Sequence, residues 1–145
     1  MSGHQIRLRG PWTYEWLADN PASEVAAAGR VRMPCDWKDC FGDSAGTARF
    51  SRVFHRPSHL ETDERVRILI DGVGGTGSVA VNDHRVGMLH ELTKTGAYDV
   101  TDVLQPINRL VVEIHHDPGA SSGPAGLYGL VTLEITRQSR VKAED

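Results

Sequence analysis

"GSVAVNDHRVGMLHEL", residues 77–92, decides the fold. Small apolar and polar residues alternate up to Val81, break at Asn82-Asp83-His84, and then alternate again. Successive side chains of an extended strand point to opposite faces, so this is the pattern of two half-buried strands. Asn and Asp tolerate the left-handed backbone angles that a tight connection needs. The stretch reads as a β-hairpin. Whether its turn binds something or only connects is the question it raises.

The same period of two recurs along the chain. "PWTYEWL" puts Trp12, Tyr14 and Trp16 on one side of a strand, and "ARFSRVFHRP" puts Phe50, Arg52 and Phe54 opposite Ser51 and Val53. "RVRILIDGV" turns Val66, Ile68 and Ile70 one way and Arg65, Arg67 and Asp71 the other. Leu110, Val112 and Ile114 share a face in "NRLVVEIHH", as do Val131, Leu133 and Ile135 near the end. In "VAAAGRVRM" a short helical turn ends at Gly29, and Val31 and Met33 look strand-like. "GAYDVTDVL" ends a strand in a helical turn that Thr101 is placed to cap. About eight or nine short strands with a turn signal every 8–12 residues predict an antiparallel β-sandwich, with no βαβ unit. Residues 34–47 and 117–127 are long, irregular loops, and such loops often carry function.

The chain has 145 residues, enough for one domain that buries about two thirds of its unfolded surface. Its net charge of -3 and scattered Lys and Arg exclude a nucleic-acid footprint. No apolar run approaches the ~20 residues needed to span a bilayer. "MSGHQIRLRG" lacks the apolar core of a signal peptide, so the chain is expected in the cytoplasm. Cys35 and Cys40 in "MPCDWKDC" are close enough to pair, but two reduced thiols are the expectation there. No zinc set accompanies them, and no cofactor is expected.

Catalytic constellations do not survive inspection. "DGVGGTG" is not followed by a helix that could hold a phosphate, so it reads as a turn. His115 and His116 are adjacent on a strand and point to opposite faces, which prevents both from gripping one metal. His84 and His90 flank the second hairpin strand and are expected in solvent. Trp37 and Tyr128 lie beside loops, where an aromatic face packs well on a sugar ring. The alternative is that they plug the end of the sandwich, which aromatic dominance of cores favours for Tyr128 and leaves level for Trp37.

In order, these segments resemble the N-terminal sugar-binding domain of glycoside hydrolase family two, the β-galactosidases, β-glucuronidases and β-mannosidases. "LRGPW" is similar to the opening strand, "MPCDW" to the Pro-x-x-Trp that follows, and "ARFSRVFHRP" to the aromatic strand ending at proline. "RILIDGVGGTGSVAVNDHRVG" resembles the family signature, with Asn, a short turn and Val-Gly. "YDVTDVLQPINRLVVEI" is similar to the Asp-Val-Thr turn followed by Asn-x-Leu, and "GLYGLVTLEI" to the closing strand.

The resemblance implies a jelly-roll sandwich of the galactose-binding-domain type over residues 1–137, with 138–145 a polar tail or the start of a linker. It makes the Asn82–Gly87 hairpin structural. It places the catalytic acid and nucleophile in a TIM barrel that this chain does not include. Gly129 stands where the family commonly has Arg. Two readings follow: a non-catalytic carbohydrate-binding module, or a structural domain of a larger glycosidase that shapes its active site or its subunit assembly. For the first, Trp37 is the stacking platform. Asp43, Ser44 and Asp117 are then hydrogen-bonding partners for sugar hydroxyls, with Tyr128 a further candidate. The expected partners are a β-linked sugar or glycan and other glycosidase domains or subunits.

Overall fold

The computed structural model describes residues 4–17, 28–42, 45–90, 95–117, 119 and 125–137. Its strands are β1 His4–Arg7, β2 Trp12–Trp16, β3 Ala28–Val31, β4 Gly46–His55, β5 Glu64–Asp71, β6 Val73–Gly74, β7 Thr76–Val81, β8 His84–Leu89, β9 Thr95–Asp99, β10 Ile107–His116, β11 Gly126–Leu127 and β12 Val131–Arg137. A helix, α1, covers Trp37–Phe41, and a single 3-10 turn covers Thr101–Val103. One sheet runs β1-β12-β5-β9 and the other β3-β2-β4-β10-β7-β8, with β11 and β6 paired apart from both. Among the described residues every strand pairing is antiparallel. The chain is an all-β antiparallel sandwich. No helix among the described residues is long and apolar enough to cross a membrane.

The core lies between the two larger sheets, where the inward phase of each strand meets its counterpart. Ile68, Ile70, Leu110, Val112, Ile114, Val131 and Leu133 are all buried, as their alternation requires. Strand β2 buries Trp12 and Trp16 and half-buries Tyr14, so the period-two aromatics do share a face.

The hairpin question has a structural answer. Val81 pairs with His84 across a two-residue turn in which Asn82 and Asp83 both take positive φ, 53° and 69°. The Asn82 side chain does not face solvent for a ligand. Its Nδ2 donates to the Val103 carbonyl at 2.9 Å and to Asn108 Oδ1 at 2.8 Å, and its Oδ1 accepts from the Arg109 amide at 3.0 Å. Asn108 is 1% exposed and also bonds both backbone groups of Gln105 and the Phe54 carbonyl. Two asparagines that carry the family resemblance, Asn82 half-buried and Asn108 buried, therefore form one network, which stitches the hairpin to β10 and the 3-10 turn.

Several expectations are corrected. Thr101 does not cap the turn it begins. Asp99 Oδ1 accepts from the Thr101 amide at 2.9 Å, while Thr101 Oγ1 accepts from the Val66 amide at 2.8 Å and so ties the turn to β5. "DGVGGTG" is more than a turn: Val73 and Gly74 pair with Leu127 and Gly126, and Val73 is buried. Twelve strand segments are described where eight or nine were expected. The additions are the two-residue strands β6 and β11 and the fully exposed edge strand β1. Met33 is buried just beyond β3, and the expected helical turn before Gly29 lies outside the described residues, as does the expected tail at 138–145.

Candidate functional site

The two irregular loops meet at one end of the sandwich, as the resemblance implies. Asp36 organises that meeting. Its Oδ1 accepts from the Lys38 amide, capping α1, and from the Ala125 amide, both at 3.3 Å. The Trp37 amide donates to the Ala125 carbonyl at 2.9 Å, and the Cys35 amide to the Leu127 carbonyl at 2.8 Å. A disulfide joins Cys35 to Cys40 across α1, which corrects the expectation of two reduced thiols. Loop 34–47 therefore contains a capped and cross-linked helical turn.

That helix also decides the fate of Trp37. Residues four apart on a helix lie on one face, and here Trp37 and Phe41 point together into the core. Trp37 is 1% exposed. Its ring centroid lies 4.8 Å from Phe41, 5.3 Å from His116 and 5.7 Å from Trp16. The ring is a plug, so of the two readings left open for Trp37 the plug holds and the stacking platform does not. Burying a large aromatic surface outweighs leaving it in water for an absent ligand. The signal was present in the sequence: an Asp cap followed by aromatic residues at i and i+4 marks a helical turn with an inward face.

The other expected site residues fare differently. Asp43 and Ser44 lie outside the described residues. Asp117 is exposed, and its Oδ1 accepts from the Gly119 amide at 2.9 Å, closing a local turn. Tyr128 is half-buried, its ring close to Gly72. On the rim, exposed His115 shares a 3.0 Å hydrogen bond between its Nδ1 and Thr47 Oγ1. Its neighbour His116 is buried against Trp37, so the two imidazoles do diverge. Burial lowers the His116 pKa from its ordinary value and His115 adds to this, while Asp117 and Asp36 oppose it. His84 and His90 are exposed. Among the described residues, no three His, Cys, Asp or Glu side chains gather in a way that could hold a metal.

Gly129, the departure from the family's Arg, has a steric cause in this backbone. A Cβ there would lie 1.6 Å from the Asp71 carbonyl oxygen and 2.8 Å from Gly72 Cα. The Gly129 amide donates to the Gly72 carbonyl at 2.8 Å, so two glycines let the chain segments touch.

No family model matches the chain, and no curated protein does. Solved structures do. An FMN-binding β-glucuronidase from F. prausnitzii L2-6 is similar at a TM-score of 0.76 and 24% identity, covering 94% of this chain and 23% of that one. A Bifidobacterium dentium β-glucuronidase gives 0.74 and 17%, covering 94% and 30%. A family 2 glycosyl hydrolase from Bacteroides cellulosilyticus gives 0.70 and 19%, covering 92% and 21%. This chain thus spans between a fifth and a third of the length of these enzymes. Its β-sandwich is the fold of a domain found within family two glycoside hydrolases.

Proposed function

We propose that this chain is a non-catalytic domain of a family two β-glycosidase, acting as a scaffold against the sugar-processing part of the enzyme. One observation carries the reading: the likeness extends over 94% of this chain and only 23% of an enzyme that shares its fold. The end built from α1, the disulfide and Ala125–Leu127 is cross-linked and filled by the Trp37 ring, which suits a supporting surface. Asp117 and Tyr128, with Asp43 and Ser44, are the proposed hydrogen-bonding partners for a β-linked sugar held against that end by another domain. On the outer face of the six-stranded sheet, Val53 and Ile107 are 45% and 60% exposed. They offer apolar contact to another domain or subunit of such a glycosidase.

Reconstitution tests this. The matching region is deleted from a family two β-glucuronidase, and this chain is supplied as a separate polypeptide. Recovery of activity above that of the truncated enzyme alone is expected. Failure of the folded chain both to bind and to reactivate truncated family members would overturn the reading.

A further inference from the structure

Strand β1 ends the four-stranded sheet, and among the described residues no strand pairs with its far side. We propose that this free edge takes up an extended acidic segment of another polypeptide. The Leu8 amide donates to the Val131 carbonyl at 2.8 Å, towards β12. Backbone groups of an antiparallel strand alternate sides, so those of Gln5 and Arg7 point away from β12. Arg9, the next residue in that phase, agrees: its carbonyl accepts from the Met33 amide at 2.8 Å. Gln5 and Arg7 thus hold out an amide and a carbonyl each, with no partner among the described residues. Such an unpaired ladder is a template for an added strand.

The side chains along the edge point to what that strand carries. Ile6 pairs with the buried Leu133 and so shares its inward face, yet Ile6 is 41% exposed. An apolar residue of an added strand would cover it. Arg7 and Arg9 are exposed, and the stem of Arg32 lies beside them, since a side chain at Gly10 would meet Arg32 Cγ at 3.3 Å. Arg49, Arg65, Arg67 and Arg137 all have carboxylate partners, whereas Arg7, Arg9 and Arg32 have none among the described residues. Opposite charges on neighbouring strands attract and like charges repel. A segment that alternates acidic and apolar residues therefore suits both faces, with carboxylates beside Arg7 and Arg9 and an apolar side chain beside Ile6. A second copy would bring its own arginines to the same outer face. A nucleic acid lacks the peptide ladder that Gln5 and Arg7 would pair with. The chemistry of this edge does not depend on reading the chain as a glycosidase domain.

Titration of the isotope-labelled chain with the peptide acetyl-Glu-Val-Glu-Val-Glu-Val-amide, followed by backbone amide NMR and hydrogen exchange, tests this. Gln-Val and Lys-Val peptides of the same length and a deoxythymidine oligonucleotide serve as comparisons. The Glu-Val peptide should shift Gln5, Ile6 and Arg7, slow amide exchange at Gln5 and Arg7, and saturate at millimolar concentration or below. Arg7→Glu, at an exposed position, should weaken that peptide about fivefold and favour the Lys-Val peptide instead. Its melting temperature should stay near that of the parent. Lys38→Ala, an exposed cation on α1, should leave affinity unchanged. The edge assignment is overturned if the Glu-Val peptide does not bind, if its shifts fall elsewhere, or if Gln5 and Arg7 exchange as before. It is also overturned if the Gln-Val peptide, the Lys-Val peptide or the oligonucleotide binds as tightly, or if Arg7→Glu binds as the parent does. A chain that dimerises through Gln5 and Arg7 would overturn the choice of partner.

Discussion

Asn82 Nδ2 donates to Asn108 Oδ1 across 2.8 Å, and this bond links a surface turn to a buried polar residue near the start of β10. It explains why the turn begins with asparagine. The residue must accept a positive φ and also place an amide where three partners wait. Asn82→Gly keeps the turn conformation and deletes the side-chain bonds, so it should cost about 1–3 kcal/mol. Asp83→Gly, at the exposed position beside it, should change stability by less than about 0.5 kcal/mol. Urea unfolding of both variants measures the difference. Equal effects would mean that the turn, and not the network, carries the stability.

Deleting the core side chain of Ile70, 1% exposed, leaves a cavity between the sheets. Ile70→Ala should destabilise by about 2–5 kcal/mol, with the denaturant dependence nearly unchanged. A loss below about 1 kcal/mol would contradict the packing described.

Gly129 leaves no room for a side chain. Both Gly129→Ala and Gly129→Arg should destabilise by about 3 kcal/mol or more, because Cβ itself meets the Asp71 carbonyl. Thermal melts of the two variants should therefore shift together. A Gly129→Arg variant as stable as the parent would show that the strand start sits differently.

Acid should loosen the plugged end before it affects the rest. The buried His116 resists protonation in the folded state, whereas the unfolded chain takes up that proton around the ordinary value of 6.5. Its contribution is complete above that value and falls as pH drops below it. Asp99 acts in a lower window. Burial works to raise its pKa, but hydrogen bonds from Arg65 and Thr101 hold it below the ordinary 3.8, so its stabilisation fades only as pH falls past that point. His116→Phe should flatten the stability profile between about pH 7 and 5, leaving the loss at lower pH in place. An unchanged profile in that upper window would show that His116 is not the group responsible.

The strands were legible where one face meets the core and the other meets water. Period two in Glu64–Asp71 and Ile107–His116 identified the buried set because those strands are central in their sheets. It was silent for His4–Arg7, an edge strand exposed throughout, and for Val73–Gly74, too short to show a period. The family resemblance, and not spacing, put the two loops at one end. For Trp37 the period of two left platform and plug both open, because it does not register a single helical turn inside a loop. The Asp36 cap and the Phe41 partner decide between these, and they act through α1, which the Pro- and Gly-rich composition of the stretch concealed. The outer face of the four-stranded sheet had no linear signature, since only pairing register sets Arg7, Thr132, Leu69 and Ala97 in one cross-strand row.

The proposal that this chain is a non-catalytic glycosidase domain is tested most directly by assaying the purified chain against aryl β-galactosides, β-glucuronides and β-mannosides. The account predicts that release of the aryl group will not exceed the uncatalysed rate at any chain concentration. Turnover that scales with the chain, co-elutes with it and disappears when it is unfolded would contradict the account, since it would require a catalytic carboxylate pair within these 145 residues.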